Sequence, residues 1–170
     1  MADHRRRNSL NGTSGIQESG RVASDQIQPW APGKLYKIFG RTYFSSFKTP
    51  PPEFRNSSYF FFTIPEDVCK YHPFCDDFGP FNLGNVCRFC EFMEAQLEEN
   101  STQRLVLHCS PDRRERTNVA FALGAYMVME MGKSGEEAWA PFASIQPCPF
   151  EPFRDATYEE PDFDLLMGDC

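Results

Sequence analysis

Leu105-Val106-Leu107-His108-Cys109-Ser110-Pro111-Asp112-Arg113-Arg114-Glu115-Arg116-Thr117-Asn118 changes character twice within a few residues. Three consecutive apolar residues bounded by polar ones fit a central strand, buried on both faces. A tight polar turn follows, and after Asp112 the chain runs Val119-Ala120-Phe121-Ala122-Leu123-Gly124-Ala125-Tyr126-Met127-Val128-Met129. A helix apolar on nearly every side belongs in the middle of its domain. The segment therefore predicts strand, turn and buried helix.

Strand, His-Cys, turn, Arg-Thr and buried helix is also the order of a cysteine-dependent phosphatase loop. There a thiolate attacks phosphorus while backbone N–H groups and one arginine hold the oxygens, and the helix N-terminus favours both anions. The spacing H-C-x5-R-[ST] closes one turn around a phosphate. Here the residue at the arginine position is Glu115, and Arg116-Thr117 comes one residue late. No glycine lies between Cys109 and Arg116, although such cradles commonly use one. Pro111 removes an N–H donor. By spacing and chemistry the loop is degenerate.

Asp112-x-Arg114-x-Arg116-x-Asn118-x-Ala120-Phe121, followed by Gly124-Ala125-Tyr126, resembles the N-terminal domain of the mitotic-exit dual-specificity phosphatases, the cell-division-cycle-fourteen type. Two further segments are similar to that family in the same order: Asp77-Phe78-Gly79-Pro80-Phe81-Asn82 and Pro149-Phe150-Glu151-Pro152-Phe153-Arg154-Asp155-Ala156. The resemblance implies an α/β, dual-specificity or tyrosine-phosphatase-like domain, a central sheet flanked by helices. It also implies a relic loop without a working nucleophile, because in the family a second domain carries the true H-C-x5-R. The function it implies is non-catalytic substrate positioning, with a phosphatase catalytic domain in cis or in trans and phosphoprotein substrates as partners. An acidic groove near the junction of the two domains receives basic residues in that family; Glu159, Glu160 and Asp162 are the candidates here. The alternatives are a weak phosphatase using Cys109, with Arg114 or Arg116 as clamp, and a loop that binds phosphate through Arg114 and Arg116 without turnover. The resemblance also implies an intracellular protein of nucleus or cytoplasm.

The remaining residues bound these readings. At 170 residues the chain has room for one domain with a core, and a net charge of −7 argues against a general nucleic-acid binder. No apolar run approaches the ~18–20 residues of a membrane span. Seven cysteines at irregular spacing fit a reducing compartment better than a disulfide framework. Cys87-x-x-Cys90, with Cys69, His72 and Cys75 upstream, is suggestive of a zinc site, but such a site normally takes two well-spaced pairs on turns. Cys90 falls on a helical core stripe, so no metal or cofactor is expected.

Residues 1–32 read as a disordered polar tail, in which Arg5-Arg6-Arg7 precedes Ser9; 33–157 read as the domain and 158–170 as an acidic tail opening an interdomain linker. Leu35–Phe39 and Thr42–Phe47, separated by Gly40-Arg41, predict a hairpin; Thr49-Pro50-Pro51-Pro52-Glu53 predicts a stiff loop, and Tyr59–Ile64 a buried strand. Pro80 suits the first turn of a helix whose stripe is Leu83, Val86, Cys90, Met93 and Leu97, with Glu91, Glu94, Glu98 and Glu99 on its wet side. Gly132 is a stop, and Ser134 with Glu137 forms a capping box for a helix carrying Ala138, Phe142 and Ile145 inward.

Overall fold

A computed structural model describes residues 27–49 and 58–170. The tail 1–26, with Arg5–Arg7 and Ser9, and most of the proline loop lie outside the described residues.

Leu105–Leu107 sits where its apolar run requires. Strand β5 (Arg104–Cys109) lies inside a four-stranded sheet, parallel to β3 (Thr42–Ser46) on one side and to β4 (Tyr59–Phe62) on the other. Strand β2 (Tyr36–Phe39) completes the order β2-β3-β5-β4 and pairs antiparallel with β3. The hairpin turn uses Gly40 at φ +44, a left-handed position that favours glycine. Between β4 and β5 runs helix α1 (Leu83–Glu99); after β5 come α2 (Arg113–Met129) and α3 (Gly135–Ala143). This is the mixed α/β architecture that the resemblance implied.

Alternation along β5 sends Leu105, Leu107 and Cys109 to one face, where they join Val86, Phe89, Cys90 and Met93 of α1, Val119 and Leu123 of α2, and Phe142 of α3. His108 points to the other face and stacks on Phe47 with ring centroids 4.5 Å apart.

Each helix is capped by the residue its sequence offers. Asn82, Asp112 and Ser134 accept the N–H of Asn85, Glu115 and Glu137, and the Ser134–Glu137 capping box is complete. Gly132 takes φ +64 after α2. The C-terminus of α1 has no basic residue in its last turn. Arg41 from the hairpin turn serves it instead, donating to the carbonyls of Asn100 (2.6 Å), Gln103 (2.7 Å) and Leu97. A guanidinium there satisfies orphan acceptors and opposes the negative helix end.

Several expectations need correction. Pro80 lies outside α1, because Asn82 is the cap. The buried face of α1 is Asn85, Val86, Phe89, Cys90 and Met93, whereas Leu83 is 69% exposed. The real stripe has i, i+3, i+4, i+7 spacing from Val86, so Phe89 belongs to it and the first-turn Leu83 does not. Glu94 is not purely solvated, since it accepts the Tyr126 hydroxyl. Ile145 lies beyond α3, in β6 (Ile145–Gln146).

At both borders the described fold exceeds the expected limits. Gln28–Pro29 forms β1, parallel to β6. Phe153–Arg154 (β7) pairs antiparallel with Asp164–Leu165 (β8), and a 3-10 turn follows at Met167–Asp169. Among the described residues no group of three or more His, Cys, Asp or Glu is arranged to hold a metal, and no helix is long and apolar enough to cross a membrane.

Candidate functional site

The three motifs singled out in the sequence meet around the first turn of α2. Asp77-Phe78 lies against the third motif through reciprocal backbone bonds, Phe78 N to Arg154 O at 3.0 Å and Arg154 N to Phe78 O at 2.7 Å. The third motif lies in turn on α2. Thr117 Oγ1 donates to the Glu151 carbonyl at 3.1 Å and accepts the Glu151 N–H at 2.8 Å. Asp77 stiffens the first of these contacts. It accepts the Tyr71 hydroxyl and the N–H groups of Cys75 and Phe74, and these bonds pull its carboxyl down to about 2.

Cys109 ends β5 on the core side of the strand and is 1% exposed. Its Sγ lies 3.8 Å from the Ser45 carbonyl. Burial pushes the thiol up to about 12, so at neutral pH it is an uncharged thiol rather than the thiolate that attacks phosphorus. His108, on the opposite face, has its pKa lowered by burial.

Both arginines are held by the fold. Arg116 is buried; it donates to the carbonyls of Pro149 and Pro111, each at 2.8 Å, and its guanidinium carbon lies 4.6 Å from the centre of the Trp30 ring. Arg114 bonds Asp76 at 2.9 Å and Glu151 at 3.1 Å. It thereby ties the start of α2 to Asp76, just before the second motif, and to Glu151 within the third.

Glu115 accepts the Ser110 backbone N–H at 3.3 Å and also the Ser110 hydroxyl. Asp112 N–H bonds the Ser110 hydroxyl oxygen at 3.2 Å, and the Asp112 carboxylate accepts the Glu115 N–H at 2.8 Å. The loop is thus closed on itself by carboxylates of its own sequence.

A protein-family model described as "Dual specificity protein phosphatase, N-terminal half" matches residues 37–170. The chain belongs to that family. Among its relatives is the dual specificity protein phosphatase CDC14A of Mus musculus, 37% identical over 132 residues that make up 76% of this chain and 21% of the relative. The human protein of the same name is 36% identical over 76% of this chain and 22% of its own length. The tyrosine-protein phosphatase CDC14 of Saccharomyces cerevisiae is 34% identical over 76% of this chain and 23% of its own length. The chain spans about a fifth of the length of these curated relatives.

In this dual-specificity N-terminal half, Glu159, Glu160 and Asp162 also come together. With Asp155 they line a mainly polar cleft of ≈ 410 Å³, beyond the loop formed by the third motif. Arg154 anchors the approach to it, donating to the Glu159 carbonyl at 3.1 Å and lying 3.7 Å from Asp76. Sequence reasoning missed Trp30 over Arg116 and Asp76 as partner of Arg114. Neither has a local signal, because each contact joins segments far apart in the chain.

Proposed function

We propose that this chain is a non-catalytic phosphatase-like domain that positions phosphoprotein substrates for a catalytic half supplied in cis or in trans. The observation that carries the reading is Glu115, whose carboxylate accepts hydrogen bonds inside a loop that working phosphatases keep open for phosphate oxygens. A protonated Cys109 thiol and an Arg116 engaged by two carbonyls support the same reading. A weak phosphatase using Cys109, or a phosphate-binding loop using Arg114 and Arg116, would first have to break those bonds and expel two carboxylates. The positioning falls to Glu159, Glu160 and Asp162, which suit basic residues near a phosphorylated site. Protein dephosphorylation is the activity that the relatives' names carry, and a cell-cycle role in nucleus or cytoplasm is part of this proposal.

The test is turnover of an aryl phosphate and a phosphotyrosine peptide by the purified chain beside Cys109→Ser. No Cys109-dependent turnover is expected. Basic phosphopeptides are expected to bind more weakly to the Glu159→Gln, Glu160→Gln, Asp162→Asn triple variant. Turnover that disappears in Cys109→Ser would overturn the proposal.

A further inference from the structure

Asn118 belongs to the first motif, yet the bonds that close the loop leave it out. The residue is 5% exposed, and its Oδ1 is buried with no hydrogen-bond donor among the described residues. Such an oxygen has lost its water without gaining a partner, and it destabilises the fold unless a donor arrives from outside. Asn118 lines a cleft of ≈ 470 Å³ between the start of α2 and the segment from Ile64 to Phe81. The buried part of that lining is Cys69, Asp77, Phe78, Asn118 and Val119, while Glu66, Lys70 and Glu115 stand exposed at the rim.

The other polar side chains of the cleft are all engaged. Arg114 bonds Asp76 and Glu151, Lys70 pairs with Glu66, and Glu115 accepts from Ser110. Asp77 accepts from Tyr71, Phe74 and Cys75, and the Cys69 thiol donates to the Asn85 carbonyl at 3.3 Å. The walls are apolar and rich in rings, with Tyr71, Pro73, Phe78 and Phe81 beside Ile64 and Val119. Tyr71 is fixed from two sides: it bonds Asp77, and a Cβ added at Gly79 would lie 3.2 Å from its hydroxyl oxygen. A preformed cleft with one free acceptor among apolar walls suits an uncharged ring that carries a donor. A hydroxyl both donates and accepts, so it answers either end of a carboxamide, whereas an indole only donates.

We infer that this cleft receives a phenol, either the side chain of a tyrosine or a small molecule, whose hydroxyl donates to Asn118 Oδ1. Its ring lies among Ile64, Phe78 and Phe81. Phosphorylation removes the donor and brings a dianion beside the Glu115 carboxylate, so the phosphorylated form is rejected. The acidic cleft of Glu159, Glu160 and Asp162 shares no lining residue with this one and plays no part in it.

The test titrates the isotope-labelled chain by NMR with para-cresol and with the N-acetyl amides of tyrosine, phenylalanine and phosphotyrosine. The tyrosine probe is expected to bind about 10-fold tighter than the phenylalanine probe, the worth of one hydrogen bond, and to move the side-chain amide resonance of Asn118. The phosphotyrosine probe should bind no better than phenylalanine. Cresol equal to the tyrosine probe assigns the cleft to small phenols, and a tighter tyrosine probe assigns it to a polypeptide. Asn118→Leu keeps the bulk and removes the unpartnered oxygen, so its melting temperature should stay level or rise while the preference for tyrosine over phenylalanine vanishes. No such preference in the parent chain, a phosphotyrosine probe that binds tightest, or an Asn118→Leu variant that melts lower would each overturn the inference.

Discussion

The two ends of α2 contrast sharply. At its N-terminus Arg114, Arg116, Thr117 and Glu115 are each bonded to a named partner, and three distant segments converge on one helical turn. Toward its C-terminus the same helix presents Val128 and Met129 to an open groove and keeps a glycine with empty space beside it. The end that resembles an active site is the closed, structural end. Arg114, Arg116 and Thr117, lodged among carbonyls and carboxylates, hold the domain together there.

The contrast can be broken most directly at Arg116. Arg116→Met should cost about 3 kcal/mol in urea unfolding, because it strands the carbonyls of Pro149 and Pro111 and removes a buried charge from its partners. A variant as stable as the parent would show that the closed end is not structural. Arg41→Ala should cost about 2 kcal/mol by the same measurement, since three carbonyls at the end of α1 lose their donor. At the open end the sign reverses: Gly124→Ala should gain up to about 1 kcal/mol through helix propensity.

Titration sharpens the contrast further. The buried thiols are raised, Cys109 to about 12 and Cys69 and Cys90 to about 11, above the ~8.5 of an unfolded cysteine. Their contribution is therefore fully present below about pH 8.5 and is lost as pH climbs through 11 and 12. The melting temperature should fall across that alkaline range, and native Cys109 should resist alkylation at pH 8 while exposed Cys87 and Cys148 react. Asp77 acts in the opposite sense: lowered to about 2, it contributes above about pH 4 and its contribution disappears as pH falls toward 2. Asp77→Asn should remove that acid-side step.

The smallest expected effect is also informative. Glu115→Arg restores the Cys-x5-Arg spacing, with Arg116 still in the Ser/Thr position, and aryl-phosphate turnover should stay at the background of Cys109→Ser. The thiol remains buried behind β5 and Pro111 still lacks its N–H.

Much of the fold was legible because its signals are local. Strand β5, the Gly40 hairpin and the Ser134–Glu137 box each depend on a few neighbouring residues. In the site, the Cys109-to-Arg116 spacing and the position of Glu115 could be read directly from the sequence. The rest depended on partners far along the chain. Arg41 reaches carbonyls 56 to 62 residues away, and Arg116 packs under Trp30 from a segment read as tail. The open face of α2 was misread for a related reason. Apolar residues all round a helix record the cover it needs, not which stretch of polypeptide provides that cover.

The clasp between Arg114 and Glu151 gives the start of α2 a long-range dependence. Arg113, Arg114 and Arg116 lie at a helix start, where positive charge opposes the dipole, and Glu151 follows Arg114 by 37 residues. The carboxylate that offsets this charge is remote in sequence, so the first turn of α2 leans on a distant segment while its apolar remainder packs on β5.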